Sequence, residues 1–324
     1  MGVSKFSLIR ILADGRFHSA QKLGSMLDIS RAGTLILLQR VEALGLQVEK
    51  VRGRGYRLSR RLDLLDAGAT AARLASTAPE LRLEILDECT STNSLVAARA
   101  VQGAALGLAL ACEHQSMGRG RRGNQWVSNL GGGLTFSLLW RFSAGAGGLA
   151  GLSLAVAAIA AQALERLGVE SVQVKWPNDL YCGGRKLGGI LVEVSGDMRG
   201  PSAVVIGIGI NVRLDQTLRD RISQPATDLA SCASMQPSRT AILATLLEDL
   251  AVALARFSRE GFASFREEWL RRHAWQGQQV ALSVAEQQVA EGRIVGVAED
   301  GALMLASSRG IQRFHSGELS LRSR

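Results

Sequence analysis

The sequence contains little cysteine, proline or aromatic residue. Its 324 residues include 4 cysteines, 5 prolines and 5% aromatic residues. The cysteines lie far apart and form no C-x-x-C pair, at Cys89, Cys112, Cys182 and Cys232. We therefore expect reduced thiols in a cytoplasmic protein, and no zinc site. No basic and apolar leader opens the chain, so a secreted protein is not expected.

The sequence also lacks the motifs of covalent catalysis. Its 4 histidines are dispersed, and neither G-x-S-x-G nor the P-loop string occurs. Chemistry carried out by this chain is therefore expected to depend on charge neutralisation and positioning rather than on a protein nucleophile.

One stretch, residues 142–164, is uncharged for long enough to span a bilayer. It is rich in Gly, Ala and Ser, whereas membrane insertion needs strongly apolar side chains. A helix of small side chains packed on a sheet therefore explains it better. With 47% hydrophobic and 21% charged residues, the chain has the composition of a folded soluble protein, and no membrane partner is expected.

Positive charge is concentrated in the first fifth of the chain. Residues 1–61 hold 12 Lys and Arg against 4 Asp and Glu, whereas the remaining residues hold 26 against 25. Residues 1–61 thus account for +8 of the net charge of +9. This asymmetry indicates a basic module for nucleic acid, joined to a nearly neutral body.

The pattern of residues 1–61 predicts three short helices and a hairpin. Ser19 and Ser30 are candidate N-caps for the second and third helices, and Gly45 ends the third. A hairpin with a basic tip follows. This order is typical of a winged helix-turn-helix domain, in which one helix enters the major groove and the wing contacts phosphates. The candidate DNA-binding residues are Ser30, Arg31, Arg52, Arg54 and Arg57.

The helix that should contact bases is unusually apolar. Leu35-Ile36-Leu37-Leu38 places apolar side chains around most of it, where Asn, Gln, Lys or Arg would be expected. Either a partner covers this face or base readout has been lost. A small basic helical domain with no nucleic-acid role is the alternative interpretation.

A polar, Ala-rich connection over residues 60–79 leads into alternating strand and helix patterns. Short gaps between strands favour a mixed α+β sheet over a doubly wound parallel one. Strands are expected at residues 81–86, 106–113, 134–140, 172–175, 187–194 and 204–210, and helices at 94–101, 149–167 and 240–269. Short strands broken by glycines predict a small, SH3-like β-barrel at the end. The predicted domains are residues 1–61, 62–274 and 275–324.

The string Gly118-Arg119-Gly120-Arg121-Arg122-Gly123 matches G-x-G-x-x-G only formally. A dinucleotide fingerprint needs a helix after it and an acid about 20 residues on, but no acid occurs between Glu113 and Glu165. Each Arg can bind a phosphate or carboxylate through paired donors, so an anionic ligand is expected. Alone, the string also fits a solvated turn or an RNA-binding segment.

A second cluster combines Lys175-Trp176-Pro177-Asn178-Asp179-Leu180 with Arg185-Lys186-Leu187-Gly188-Gly189. Two lysines, a carboxylate and an amide at adjacent strand ends suit a triphosphate and its magnesium. Gly188 and Gly189 inside an apolar run imply a close approach of the backbone to a ligand. Adenylation of a carboxylic acid fits, because cations would offset the repulsion between the acid and the α-phosphate of ATP.

Two smaller patches add polar groups. Thr90-Ser91-Thr92-Asn93 precedes a helix and could bind a polar head group, although it also fits an ordinary helix cap. Gly207-Ile208-Gly209-Ile210-Asn211 ends a strand with glycines that leave space and an Asn that could reach a ribose or a metal ion.

Together, and in this order, these strings resemble those of biotin protein ligases. The predicted first and last domains resemble the bifunctional bacterial type that is also the biotin operon repressor. The resemblance covers essentially the whole chain. It implies that biotin and MgATP form biotinyl-5′-adenylate, and that a lysine of a biotin carboxyl carrier protein, an acetyl-CoA carboxylase subunit, then takes the biotin. It also implies an adenylate-bound homodimer that binds operator DNA.

The same resemblance implies roles for individual residues. Lys186 would hold the activated carboxyl and phosphate oxygens, Asp179 would orient the incoming lysine, and Arg121 would also act in catalysis. Biotin would contact Ser91, Thr92, Asn93, Gln115, Arg119, Gly120, Arg121, Lys186, Gly188 and Gly189. ATP would contact Arg119, Arg121, Trp126, Lys175, Asn178 and Asn211. No side chain is assigned as a metal ligand, because Mg²⁺ would arrive with ATP.

Two other functions remain open. The +8 segment also fits a ligand-sensing DNA-binding repressor without ligase activity. A lipoate or octanoate ligase-like enzyme on a related fold is the other alternative, which is disfavoured because those relatives lack the Arg-Gly string as it stands here.

Overall fold

The computed structural model describes residues 4–196, 200–222, 224–284, 287–315 and 320–323. Within these residues, the predicted mixed sheet and the C-terminal strands are confirmed. A large sheet lies at the centre, helices cover both of its faces, and an antiparallel β domain follows.

Three helices and a hairpin form the N-terminal part. They are α1 (Lys5–Leu12), α2 (Ala20–Leu27), α3 (Arg31–Glu42), β1 (Val48–Val51) and β2 (Gly55–Leu58). The hydroxyls of Ser19 and Ser30 accept backbone N–H groups in the first turns of α2 and α3, as predicted for N-caps. Apolar side chains of these elements form a small core that Leu62 and Leu130 join, so this part packs on the central domain.

Two ion pairs also join α1 to the central sheet. Lys5 Nζ lies 2.9 Å from Glu88 Oε2, and Arg10 pairs with Asp87. Both acids lie near the end of a central strand, shortly before the Thr90–Asn93 string. The N-terminal part therefore contacts the strand that leads into this string.

The connection after residue 60 contains a helix that the sequence analysis missed, α4 (Ala67–Thr77). Asp66 caps it by accepting the Ala69 N–H. Only Thr70 and Leu74 of this helix are buried, so its apolar periodicity is too weak to stand out among the alanines.

The central sheet has seven described strands in the order β3-β4-β5-β9-β8-β7-β6. β3 and β4 are parallel, and the remaining neighbours are antiparallel. The strands are β3 (Arg82–Cys89), β4 (Leu108–Gln115), β5 (Gly133–Phe142), β6 (Gln173–Lys175), β7 (Asp179–Cys182), β8 (Arg185–Gly196) and β9 (Ser202–Asn211). The short strand β7 was not predicted.

The described helices after α4 pack around this sheet. They are α5 (Thr92–Val101), α6 (Leu152–Arg166), α7 (Gln216–Arg221), α8 (Leu229–Cys232), α9 (Arg239–Glu260) and α10 (Ala263–Arg271). The prediction of a single helix over residues 240–269 is wrong, because two helices, α9 and α10, occupy this stretch. Gly261, with φ of +63°, ends α9 before α10 begins.

Alternating side chains of the strands form a core on each face of the sheet. Leu110 and Leu139 pack with Val96 of α5 on one face. Their strand neighbours Ala109 and Leu138 belong to the larger core that contains α6 and α9 on the other. The apolar stretch that could span a membrane by length and composition is mostly buried in this core, as expected for a helix of small side chains on a sheet.

The C-terminal domain is an antiparallel sheet of five described strands, in the order β13-β12-β11-β10-β14. They are β10 (Gln279–Val284), β11 (Gln287–Val297), β12 (Leu303–Ser307), β13 (Gly310–Phe314) and β14 (Ser320–Ser323). Its apolar side chains join the larger core, and the Trp176 indole donates to the Gly301 carbonyl at 3.1 Å. The domain thus packs next to the Lys175–Leu180 string.

A buried ion pair fixes the connection to the central domain. Arg239 and Glu113 pair at 2.6 Å with their side chains almost completely buried. Arg239 also donates to the backbone carbonyls of Asp63 and Gly133, and the other Glu113 oxygen accepts the Leu65 N–H. This pair ties residues 63–65 to β4, β5 and α9.

Candidate active site

The strand register brings the predicted motifs to one edge of the central sheet. β3 and β4 are parallel, so the Thr90–Asn93 string and the Arg-Gly string follow them at the same edge. Gly188, near the start of β8, pairs with Ile210, at the end of β9. β7 adds Asp179, which pairs with Gly189. Motifs that follow or belong to five strands therefore converge.

A buried polar cluster lies at the N-terminus of α5. The Ser91 hydroxyl caps the helix, and the Thr92 N–H donates to Gln115 Oε1 at 2.7 Å. The Ser137 hydroxyl on β5 donates to Asn93 Oδ1 at 2.6 Å and lies 2.7 Å from Thr92 Oγ1. Ser137 is fully buried, and its sequence context did not predict it as a site residue. The cluster is more than a helix cap, because it links α5 to β4 and β5.

Asn93 is fixed from both ends of its amide. Besides accepting from Ser137, it donates through Nδ2 to the Leu191 carbonyl at 3.3 Å and to Glu193 Oε2 at 2.9 Å. Gly207 leaves room for it, since a Cβ at that position would lie 1.9 Å from Asn93 Oδ1. Asn93 therefore connects α5 to β5 and β8, and direct contact with a ligand remains a prediction.

The Arg-Gly string forms a tight loop. The Trp126 N–H donates to the Gly118 carbonyl at 2.9 Å, and a Cβ on Gly118 would lie 2.3 Å from the Trp126 carbonyl oxygen. The Gly120 N–H donates to the Asn124 carbonyl at 2.7 Å. Close backbone approach therefore explains why glycine occupies position 118.

The two cations predicted for catalysis lie on either side of the Asn178-Asp179 pair. Lys186 Nζ lies 2.7 Å from Asp179 Oδ1, and Arg121 donates to Asn178 Oδ1 at 3.3 Å. Asn178 is itself fixed, because Nδ2 donates to the Ile190 carbonyl at 2.7 Å. The two separated strings thus form one cationic site, and a bound anion would meet positive charge from both.

The protein environment also acts on the Arg121 charge. Burial, followed by the neighbouring Arg122 charge, lowers the pKa of the Arg121 guanidinium, and Asp179 opposes both. An arginine stays protonated at neutral pH even with a lowered pKa. A half-buried fixed charge interacts with an anion more strongly than an exposed one, because water screens it less.

The predicted glycines of β8 and β9 have distinct surroundings. Gly189 lies against the ion pair, since its Cβ would be 3.5 Å from Asp179 Oδ1, whereas Gly188 faces the Gly209 carbonyl on β9. Gly209 makes room for the Trp126 ring, because a Cβ there would lie 2.5 Å from Trp126 Cε2. The buried Trp126 Nε1 has no acceptor among the described residues, which leaves its N–H for a ligand.

Lys175 and Asn211, both predicted to bind ATP, make contacts within the protein. Lys175 Nζ lies 4.0 Å from the Trp275 ring centroid and 3.2 Å from the Tyr181 hydroxyl oxygen. Burial raises the pKa of Tyr181, so the phenol is neutral and its oxygen accepts from the ammonium. Asn211 donates to the Thr227 carbonyl at 3.0 Å. Both residues support the site, and their contact with ATP remains a prediction.

In the described ranges, no three His, Cys, Asp or Glu side chains come together as a group that could hold a metal ion. The four cysteines are free thiols.

The residues predicted to bind DNA lie at the start of α3, in the hairpin turn and on β2. Ser30 caps α3, Arg31, Arg52 and Arg54 are exposed, and Arg57 pairs with Glu49. The interpretation of the apolar run needs a correction. Leu37 and Leu38 are buried in the N-terminal core, so the apolar outer face consists of Leu35 and Ile36, which are 39% and 51% exposed.

The chain is similar to known proteins. Residues 89–211 match the Biotin/lipoate A/B protein ligase family, and residues 277–322 match the Biotin protein ligase C terminal domain. The chain is 36% identical to the Bifunctional ligase/repressor BirA of Salmonella typhimurium over 317 residues, covering 98% of this chain and 97% of that protein. The chain belongs to the biotin protein ligase family.

Relatives of two kinds occur within the biotin protein ligase family. The Biotin--[acetyl-CoA-carboxylase] ligase of Paracoccus denitrificans is 33% identical over 241 residues, covering 72% of this chain and 96% of its own. The biotin protein ligase of Aquifex aeolicus, solved with biotin and ATP, has a TM-score of 0.64 and 30% identity, and the match covers 75% of this chain and 99% of that one. Of these three proteins, the ligase/repressor relative is the one whose match extends over almost all of this chain.

Proposed function

We propose that this chain is a biotin-[biotin carboxyl carrier protein] ligase that acts in the cytoplasm. It forms biotinyl-5′-adenylate and pyrophosphate from biotin and ATP, and transfers biotin to a carrier lysine. One observation carries the proposal: Lys186 and Arg121 meet at Asn178-Asp179, at the sheet edge that also holds the buried Ser91–Asn93 cluster.

In the first step, a biotin carboxylate oxygen attacks the α-phosphorus of ATP and pyrophosphate leaves. Two anions must meet, so fixed cations at this point lower the barrier. Lys186 contacts the carboxylate and the phosphate oxygens, and Arg121 closes over them. Ser91, Thr92, Asn93 and Gln115 line the pocket for the ureido head of biotin, with Arg119, Gly120, Gly188 and Gly189 forming its rim.

In the second step, the carrier amine attacks the acyl carbon and AMP leaves. Asp179 orients that amine, a role supported by the position of its carboxylate 2.7 Å from Lys186 Nζ. Lys186 continues to hold the phosphate oxygens as negative charge returns to AMP.

ATP occupies the side of the site formed by Trp126, Arg119 and Arg121, with support from Lys175, Asn178 and Asn211. Mg²⁺ bound to the ATP phosphates would neutralise part of their charge. Asp179 and Asn178 would be the residues that offer it oxygen ligands.

The test of the proposal is the reaction itself. The purified chain should release pyrophosphate when given biotin and MgATP, and should then biotinylate a carrier domain. Lipoate or octanoate in place of biotin should give little release. If the protein retained operator DNA in a biotin-dependent manner without any adenylation or transfer, the chain would be a repressor without ligase activity.

The Trp126 assignment makes a separate prediction. Gly209→Ala is expected to raise the KM for ATP about tenfold, since overpacking costs about 1–3 kcal/mol and the added Cβ would displace the Trp126 ring. Initial rates at varied ATP measure this change. The KM for biotin, measured in parallel, should change much less, and an equal rise in both would contradict the placement of adenine on Trp126.

We also propose that the chain is a biotin-responsive repressor. Residues 1–61 would form a winged helix-turn-helix domain, residues 62–274 the ligase domain and residues 275–324 an SH3-like barrel. The adenylate would promote a homodimer that binds operator DNA. The +8 charge of residues 1–61 and the nearly full-length similarity to proteins named ligase/repressor support this role.

The exposed arginines of the hairpin turn test the DNA role. The double variant Arg52→Ala/Arg54→Ala is expected to weaken operator binding and to reduce the slope of log K against log salt by about two, since each lost phosphate contact removes about one. Filter binding with biotin and ATP present, at several salt concentrations, measures both. Ligation by this variant should match that of the wild type, because both residues lie outside the ligase site. An unchanged slope would show that the hairpin does not contact phosphate.

A further inference from the structure

Glu193, on β8, has no role in the mechanism above, yet its carboxylate joins two parts of the site. Arg119 of the Arg-Gly loop donates to it twice, through Nη2 to Oε1 at 2.6 Å and through Nη1 to Oε2 at 3.2 Å. Oε2 also accepts from Asn93 Nδ2 at 2.9 Å. The carboxylate thus connects the Arg-Gly loop to Asn93 in the first turn of α5.

Stability alone does not explain this contact. The Arg119 side chain is 47% exposed and the Glu193 side chain is 32% exposed, and ion pairs of such exposure contribute little to folding. Their geometry is nevertheless specific, because Arg119 binds the carboxylate with two parallel donors. Arg119 Nη1 also lies 3.3 Å from the Ser94 hydroxyl on α5, so the guanidinium is positioned from two sides.

The other side of Glu193 is rigid. Asn93 is buried, and Ser137 and the Leu191 carbonyl hold the rest of its amide. Glu193 itself lies in a strand whose neighbour is β9, where it pairs with Val205. The Glu193 carboxylate is therefore held in one position, where it accepts hydrogen bonds from Arg119 of the loop.

We propose that Glu193 is a positioning residue that holds the Arg-Gly loop closed over the biotinyl-adenylate and so limits the escape of this intermediate. This inference rests on the proposed ligase function. Without the carboxylate, Arg119 loses its two acceptors and the loop opens more often. The reacting groups are assigned to the Lys186–Asp179 pair, whereas Glu193 contacts Arg119 of the loop. Adenylate formation should therefore change little while adenylate release should accelerate.

The test uses the full chain with biotin and MgATP. The enzyme first forms the adenylate from labelled biotin in one turnover. Excess unlabelled biotin is then added, and the release of labelled adenylate is followed over time. Glu193→Gln keeps the shape but removes the charge, and is expected to release adenylate about five- to tenfold faster. Its single-turnover rate of adenylate formation should stay within about twofold of the wild type. Glu193→Asp should restore slow release in part.

A matched control and a double variant separate positioning from general damage. Glu84 pairs with Arg99 at the far end of α5, with similar exposure, so Glu84→Gln removes a comparable ion pair away from the site. Its release rate should equal that of the wild type. Arg119→Gln should accelerate release as Glu193→Gln does, and the double variant should be no faster than either single one.

Three outcomes would overturn the inference. The first is release by Glu193→Gln at the wild-type rate. The second is slower release by Glu193→Gln, which would mean that Glu193 holds Arg119 away from the ligand. The third is a double variant in which the effects of Glu193→Gln and Arg119→Gln on release simply add. Absence of any adenylate in the wild type would instead refute the proposed function. Melting temperatures identify any variant that folds poorly. If Glu193→Gln does so, adenylate release is compared between the wild type and Glu193→Asp.

Discussion

Replacing Lys186 with alanine is expected to lower the rate of biotin-dependent pyrophosphate release by about two to three orders of magnitude. Removing one preorganised charge or donor at a site of developing charge has an effect of about this size. The structure gives a reason to expect the upper part of the range. Lys186 lies 2.7 Å from Asp179, so its loss also leaves a carboxylate facing the incoming anions. Single-turnover release at saturating biotin and ATP measures the chemical step.

Two variants control this prediction. Arg185→Ala removes the neighbouring cation, which is exposed and on the opposite side of β8, and should leave the rate nearly unchanged. The double variant Lys186→Ala/Asp179→Asn removes both charges and should recover part of the adenylation rate if repulsion by Asp179 contributes. Turnover of Lys186→Ala close to that of the wild type would refute the assigned role of Lys186.

The strings of chemistry-bearing residues could be predicted because each is contiguous in sequence. Lys175–Leu180 and Gly118–Gly123 are recognisable without knowing what surrounds them. That the two strings lie close together in the fold does not follow from either string alone, because it depends on the order of the strands in the sheet. The parallel pairing of β3 with β4 and the β8-β9 register then place both strings at one edge.

Residues inside strands could not be assigned in this way. Ser137 and Glu193 lie in the middle of β5 and β8, where nothing in the local sequence distinguishes them from other polar strand residues. Their roles come from contact with Asn93, which lies 44 and 100 residues away in sequence. Sequence spacing therefore predicts the loop motifs of this site, but not the strand residues Ser137 and Glu193 that contact them.

The same limit explains the apolar run of α3. Leu35 to Leu38 occupy four successive positions, which cover all sides of a helix, and their sequence cannot say which side faces inward. Packing of α1 and α2 buries Leu37 and Leu38 and leaves Leu35 and Ile36 outside. The face available for DNA is therefore less apolar than the sequence indicated.

The second large effect concerns stability. Arg239→Ala is expected to lower the free energy of unfolding by about 3–5 kcal/mol, because it leaves the Glu113 carboxylate buried without its ion-pair partner. The loss also removes hydrogen bonds to the Asp63 and Gly133 carbonyls, which hold the connection from the N-terminal part against the sheet. Urea denaturation, followed by circular dichroism, measures the change as a lower transition midpoint.

A compensating variant distinguishes buried charge from lost packing. In Arg239→Met/Glu113→Gln, the glutamine is neutral and can still accept the Leu65 N–H, while methionine fills the space of the arginine stem. This double variant should recover much of the stability that Arg239→Ala loses. A double variant no more stable than Arg239→Ala would assign the loss to the backbone hydrogen bonds of Arg239. A midpoint of Arg239→Ala equal to that of the wild type would mean that water reaches Glu113, contrary to its burial between β4 and the connection.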